Sequence, residues 1–138
     1  MGVTRMLLAR GADPNIVSRK YDWKSPLSLA VTSQAAELVK LLLSAGADPN
    51  IRDAEADWDA NPGDMTPLMR ATTPEIANLL LQDGADPTLR NNDDDYPTAV
   101  QYIRKVAAEY GRRTAFGKSC IAAAEVIEEY QKHKGIRT

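Results

Sequence analysis

The sequence predicts an all-α solenoid of stacked helix-turn-helix units with extended, hairpin-like finger loops between them. The tetrapeptide Gly-Ala-Asp-Pro occurs at 11–14, 46–49 and 84–87, with spacings of 35 and 38 residues. An apolar triplet precedes each copy at the same offset from the glycine. A Ser/Thr-Pro-Leu triplet opens a segment upstream of the last two copies. Self-similarity at such a period is the signature of a repeat architecture.

Each unit is predicted to contain two helices, because the shared residues are helix start and stop signals. A hydroxyl side chain followed by proline, at 25–26 and 66–67, caps and opens a first helix. The glycines at 11, 46 and 84 can adopt the left-handed conformation that ends the second helix. Leucines before each glycine pack that helix inward.

The chain is predicted to form one domain over 1–138. It divides into a half repeat at 1–15, repeats at 16–50 and 51–88, and a capping repeat at 89–138. The half repeat consists of a second helix at 3–10, which leaves apolar surface exposed. Two explanations stay open: the chain is a fragment of a longer array, or a second copy covers that face.

The third repeat departs from the pattern between its helices. Its first helix, from Pro67 to about Ala71, is predicted to be little more than one turn, because a short connection follows it. Thr73 is expected to cap the second helix and Pro74 to open it.

The last repeat is predicted to have two longer helices that shield the end of the solenoid. The first places Val100, Ile103, Val106 and Tyr110 on one face and ends at Gly111. The second runs from about 118 to 133. It buries residues 121, 124 and 127, and it ends at a glycine at 135.

These units resemble the ankyrin family, whose repeat of about 33 residues opens with Thr-Pro-Leu-His-x-Ala. Residues 25–50 align with the family pattern without a gap. Ser28 and Met69 replace the family histidine, so we expect loss of a buried hydrogen bond and of some stability. The resemblance implies a protein-binding module, with a concave face made by the finger loops and the short first helices.

Charge is distributed unevenly along the chain. The net charge is -2, but residues 53–95 carry 11 acidic and 2 basic groups, whereas the segments on either side are net basic. An acidic surface repels nucleic acid and anionic membranes and attracts basic proteins. We therefore expect a protein partner that is basic at its contact face, and neither nucleic acid nor membrane as a partner.

The single cysteine, Cys120, excludes an internal disulfide, and no Cys/His cluster suited to zinc is present in the sequence. Arginines interrupt the apolar N-terminal stretch, which argues against a signal peptide. No apolar run reaches the about 18 residues of a membrane-spanning helix. The expected location is the cytoplasm.

The finger loops carry the candidate binding residues. We count from the Asn or Thr that closes one repeat to the Ser or Thr that opens the next first helix. These intervals are ten residues (15–25), sixteen (50–66) and ten (88–98), whereas the family pattern has about eight. If adjacent fingers align, they form one acidic and aromatic strip, made of Tyr21, Trp23, Asp57, Trp58, Asp59, Asp93, Asp94 and Tyr96. Aromatic anchors ringed by charge are typical of binding hot spots. The alternative is a solvated loop whose tryptophan folds back onto the domain.

Two segments resemble motifs for nucleotide binding and for calcium binding, but neither matches its motif fully. The segment 111–119 resembles a nucleotide-binding P-loop but has five residues between its glycines where the motif needs four. The acidic alternation at 53–64 resembles a calcium loop, but Trp58 occupies the position that requires glycine. We predict no cofactor and no metal.

No arrangement of His133 and Cys120 indicates a catalytic triad, so the chain is not predicted to be an enzyme. The predicted function is protein binding through the concave face and finger loops, and its narrower form is an immunity or inhibitor protein for a basic partner. One alternative is a structural fragment of a longer ankyrin scaffold. A remote alternative is a nucleotide-binding enzyme that uses the P-loop-like segment.

Overall fold

The computed structural model describes residues 2–17, 24–53 and 64–137. Within these ranges the chain forms six α-helices and one short 3₁₀ helix. In order, they are α1 (Gly2–Ala9), α2 (Pro26–Thr32), α3 (Ala36–Ser44), the 3₁₀ helix (Pro67–Arg70), α4 (Pro74–Gln82), α5 (Ala99–Glu109) and α6 (Ala115–His133).

The helices stack in two rows. The first helices of successive units form one row, in which the 3₁₀ helix contacts α2 on one side and α5 on the other. The second helices form the other row, in which α4 lies between α3 and α6. Each first helix also packs on the second helix of its own unit. This is the predicted all-α solenoid.

The predicted start signals operate as expected. The Oγ of Ser25 accepts a hydrogen bond from the backbone N–H of Ser28 at 3.1 Å, and α2 begins at the next residue, Pro26. Thr73 caps α4 in the same way, accepting from the N–H of Ile76 at 3.4 Å. The first helix of the third unit is a single 3₁₀ turn, which confirms that it is short.

The predicted stop signals are also confirmed. The backbone φ angles of Gly11, Gly46 and Gly84 are +88°, +91° and +99°, which lie in the left-handed region that glycine reaches without a steric penalty.

The hydrogen bonding expected to be lost at the family histidine positions is retained in another form. Ser28 is fully buried, and its Oγ accepts a hydrogen bond from the Oγ of Ser25 at 3.2 Å. The Sδ of Met69 accepts one from the N–H of Thr66 at 3.4 Å. Both positions therefore still accept a hydrogen bond, because both replacements carry an acceptor atom, and the expected loss of stability stays a prediction.

In the last unit, two sequence expectations need correction. The second helix begins at Ala115, three residues earlier than predicted, because the Oγ1 of Thr114 accepts from the N–H of Gly117 at 3.0 Å and caps it there. Tyr110 does not share the buried face of Ile103: it is 65% exposed, and its ring meets Phe116 edge-on, with 5.2 Å between centroids.

The glycines of the P-loop-like segment have structural roles. Gly111 follows α5 with a φ of +87°, and Gly117 lies in the first turn of α6. A β-carbon at 117 would overlap the carbonyl oxygen of Gly111. The pair therefore allows close approach where the chain turns from α5 into α6.

The helix α1 presents an apolar surface to solvent, as predicted. Val3, Met6 and Leu7 are 67%, 48% and 55% exposed. Leu8, on another side of the helix, packs against the core.

Candidate protein-binding surface

Three of the eight predicted strip residues lie in the part of the chain that the structure describes. These are Asp93, Asp94 and Tyr96, which belong to the third finger, residues 91–97. The other five fall outside the described residues: Tyr21, Trp23, Asp57, Trp58 and Asp59. Of the middle finger, residues 53–65, the structure describes the two ends that join it to the repeats.

The third finger is a closed loop held by its own hydrogen bonds. The N–H of Asn91 donates to the carbonyl of Pro97 at 2.9 Å, across the base of the loop. The side-chain amide of Asn91 donates to the carbonyl of Tyr96 at 3.3 Å, and its Oδ1 accepts from the N–H of Asp93 at 2.7 Å. One buried asparagine thus organises the loop from inside.

Asp93 is bound within the finger and is not free for a partner. Its Oδ1 accepts hydrogen bonds from the N–H groups of Asp95 and Tyr96, both at 3.0 Å. Its Oδ2 lies 3.2 Å from the Nζ of Lys105, and its side chain is 16% exposed. The hydrogen bond from Tyr96 N–H, followed by the one from Lys105, holds the pKa of Asp93 below its ordinary value of 3.8.

Lys105 joins the finger to α5. Its ammonium group lies 5.2 Å from the ring centroid of Tyr96 and 5.7 Å from that of Tyr102, within cation-π range. The hydrogen bond with Asp93 raises the pKa of Lys105, so it stays charged. Tyr96 is thereby fixed in place and remains 40% exposed, with Asp94 exposed two residues before it.

The base of the middle finger is closed by a buried ion pair. The N–H of Asp53 donates to the carbonyl of Met65 at 3.1 Å, the same hydrogen bond that Asn91 makes in the third finger. The carboxylate of Asp53 accepts from the Nε of Arg70 at 2.8 Å, and the two side chains are 2% and 10% exposed. The ends of this finger are therefore tied to the 3₁₀ helix.

The bases of the middle and third fingers are linked side by side. The Nη1 of Arg52 donates to the carbonyl of Asp64 at 3.2 Å and to that of Arg90 at 2.8 Å. The side-chain amide of Asn91 contacts the Sδ of Met65 at 3.4 Å. The described bases of the two fingers are thus held together, as a strip requires.

The groups that hold the fingers were not identified from the sequence. Arg52, Arg70 and Lys105 act on residues 12 to 38 positions away along the chain. One usable signal is positional: Asp53 and Asn91 each lie three residues after the residue that closes a repeat.

The sequence also singled out groups suited to metal binding or catalysis. Among the residues the structure describes, no three His, Cys, Asp or Glu side chains come together as a metal site. Burial raises the pKa of the Cys120 thiol, while His133 is exposed and lies 3.7 Å from Glu129. Within the same ranges, no helix has both the length and the apolar character to cross a membrane.

Comparison with known families decides the classification. The family model described as ankyrin repeats, in three copies, matches residues 2–91. The chain belongs to the ankyrin-repeat family. Ankyrin repeats are protein-protein interaction modules, and the family is typically non-enzymatic. No curated protein matches the chain. The matched range of this ankyrin-repeat protein ends at the start of the third finger, before α5 and α6.

Proposed function

We propose that this ankyrin-repeat protein binds a protein partner that is basic at its contact face, through the strip formed by the middle and third fingers. The observation that carries the proposal is the linkage of the two finger bases by Arg52, which hydrogen-bonds to both. Fingers whose bases are linked in this way can act as one surface.

The third finger supplies the described part of this surface. Asp93 acts as a positioning residue, since its carboxylate is used inside the loop. Asp94 and Tyr96 are the contact residues, because both are exposed on a loop that is already fixed. Binding through a preorganised loop loses little conformational entropy. Trp58, Asp57 and Asp59 of the middle finger are proposed to extend the same surface.

The charge of the surrounding segment supports a basic partner. Residues 53–95 carry 11 acidic and 2 basic groups. Complementary charge speeds association and suppresses wrong partners. In its narrower form, the proposal is an immunity or inhibitor protein whose acidic fingers imitate phosphates and occlude a basic active site. The single, buried Cys120 supports a reducing compartment such as the cytoplasm.

The experiment selects partners from a display library of folded domains with the native chain and titrates each retained domain against two variants. The strip variant combines Tyr96→Ala, Asp94→Asn, Trp58→Ala, Asp57→Asn and Asp59→Asn. The matched control removes an exposed aromatic residue and exposed acids elsewhere, with Tyr110→Ala, Glu125→Gln and Glu129→Gln.

The strip variant is expected to weaken binding about thirtyfold or more, the loss that a hot spot of about 2 kcal/mol produces. The control variant should bind as the native chain does, and a short DNA duplex should compete if the partner uses a basic active site. Retained domains that bind the strip variant with native affinity would refute the proposal.

A second candidate function is self-association through α1, favoured by the exposed side chains of Val3, Met6 and Leu7. Sedimentation velocity of the native chain, Leu7→Glu and a Tyr110→Glu control tests it. Native and control chains should sediment as dimers and Leu7→Glu as a monomer. A monomeric native chain at high concentration would exclude this function.

A further inference from the structure

Two asparagines connect successive units at the ends of their second helices. Each accepts a hydrogen bond from a backbone N–H of the following unit at 2.7 Å and donates its side-chain amide to a carbonyl there, at 3.2 or 3.1 Å. The pairs are Asn15 with Gly46 and Asp48, and Asn50 with Gly84 and Asp86. The bridge closes the gap between neighbouring Gly-Ala-Asp turns.

The helix α6 ends in a turn of the same geometry. Gly135 has a φ of +68°, and the next residue, Ile136, donates its N–H to the carbonyl of Gln131 at 2.9 Å. The corresponding bonds in the regular units run from Ala47 to Leu42 and from Ala85 to Leu80, both at 2.9 Å. Gln131 therefore occupies a position that is a buried leucine in the two preceding units.

The bridging residue also changes at the last junction, between the repeat 51–88 and the capping repeat 89–138. Thr88 stands where Asn15 and Asn50 stand in the earlier repeats. Its hydroxyl donates to the Oδ1 of Asp86, at 2.6 Å and within its own turn. The Thr88 hydroxyl is therefore used within its own loop. The threonine side chain is also too short to make both hydrogen bonds of the asparagine bridge.

A groove of about 770 Å³ lies at this unbridged junction. Its apolar lining includes Pro87, Val100 and Ile136, and its cationic lining includes Arg90, Lys132 and Arg137. Glu128 also lines it, but both of its carboxylate oxygens accept hydrogen bonds from Arg104, at 3.0 and 3.1 Å. The side chains around the groove thus carry a positive charge that Glu128 does not offset.

Gln131 lines the same groove and has an unused acceptor. The residue is 5% exposed, and its Oε1 is buried with no hydrogen-bond partner among the residues that the structure describes. A buried acceptor left without a donor is unfavourable. A ligand that brings an N–H group into the groove would satisfy it.

We propose that this groove binds an acidic peptide segment of a partner protein. A main-chain N–H of the segment donates to the Oε1 of Gln131, and its carboxylates face Lys132, Arg137 and Arg90. A side chain of the segment packs on the apolar lining. This site is separate from the finger strip and has the opposite charge, so one chain can hold a basic and an acidic surface at once.

The test selects short random peptides, displayed on phage, against the whole native chain and measures the affinity of the enriched peptides by fluorescence anisotropy. A repaired variant, Thr88→Asn with Gln131→Leu, restores the bridge and the leucine of the regular units. Thr32→Asn with Gln82→Leu makes the same exchanges at exposed positions outside the groove and serves as its control.

Enriched peptides are expected to be rich in Asp and Glu. Their affinity should fall about tenfold or more in the repaired variant, because the hydrogen bond to Gln131 and the open groove are both lost, and a tenfold loss corresponds to about 1.4 kcal/mol. The melting temperature of the repaired variant should rise, which shows that lost binding does not come from unfolding. The control should bind as the native chain does.

A second variant tests the charge without altering buried residues. Lys132→Glu with Arg137→Glu should abolish binding of the acidic peptides, whereas Arg113→Glu with Lys118→Glu, which reverses two exposed charges elsewhere, should leave most of it. The finger strip variant should bind these peptides normally, so failure of this proposal and failure of the finger proposal are distinguishable. Selection of peptides without acidic residues, or native affinity in the repaired and charge-reversed variants, would overturn the proposal.

Discussion

The third and last units share a backbone design and differ in the side chains that secure it. Both fingers close with the same hydrogen bond, from Asp53 to Met65 and from Asn91 to Pro97. The third unit is then fastened by a buried ion pair to Arg70, whereas the last unit uses a partly exposed pair with Lys105. Turn geometry is thus maintained by caps and backbone bonds, while the side chains at the junctions vary.

The largest expected effect is at the buried pair of the third unit. Arg70→Ala leaves the carboxylate of Asp53 buried without its cation, which is expected to cost about 3–5 kcal/mol of unfolding free energy. Lys105→Ala should cost much less, because solvent reaches its partner. Urea denaturation followed by circular dichroism measures both. Equal losses would mean that burial does not distinguish the two fingers.

A smaller loss is expected where the last unit departs from the repeat at its helix connection. Gly117→Ala forces a β-carbon against the carbonyl of Gly111 and should destabilise the protein by about 1–3 kcal/mol. Gly2→Ala is the matched control, since a β-carbon there meets nothing within 4 Å. Thermal unfolding of the two variants gives the comparison. A neutral Gly117→Ala would show that α5 and α6 can separate at this point.

The junctions between units are compared by truncating Asn50 and Thr88, the residues that close the repeats 16–50 and 51–88. Asn50→Ala loses both bonds of its bridge to the third unit and should cost about 1–2 kcal/mol. Thr88→Ala removes a side chain that makes no bridge, and a change within about 0.5 kcal/mol is expected. Chemical denaturation of both variants checks this. A large loss at Thr88 would contradict the open last junction.

The smallest effect is local and depends on pH. Because the pKa of Asp93 is lowered in the folded protein, its contribution to stability is present above pH 3.8 and is lost as pH falls through the lower folded value. The protection factor of the Tyr96 N–H, which is the exchange rate of an unprotected amide at the same pH divided by its own, should then fall, as measured by hydrogen exchange with NMR. Asp93→Asn keeps the Oδ1 acceptor, so the protection factor in that variant should not change over this range. Equal acid sensitivity in both chains would exclude Asp93 as the cause.

Much of the fold was predictable because its signals are local. The single turn of the 3₁₀ helix followed from the short connection after it, and Thr73 was identified as a cap from its neighbour Pro74. The helix α6 begins before its predicted position because Thr114 caps it, and no proline follows Thr114 to signal that role in the sequence. Tyr110 was placed on the buried face by periodicity alone, although α5 ends one residue before it.

The candidate site was less predictable, since its interactions are long-range. Residue type alone predicts Asp93 and Tyr96 as binding residues, and only the fold shows that Asp93 is bound to Lys105 while Tyr96 remains exposed. The groove beside Gln131 has a single sequence signal, at the end of α6. Aligning the end of α6 with the earlier turns would have revealed the exchange of leucine for glutamine.

The sequence by itself determined the class of fold, the order of helices and the positions where they begin and end. Hydroxyl caps, prolines and glycines act within a few residues of themselves, so their effects can be deduced without coordinates. Only the tertiary structure decided which charges are paired, which finger bases are linked and where a junction stays open. Those outcomes depend on distances between residues far apart in the chain, and stacking of the units sets these distances.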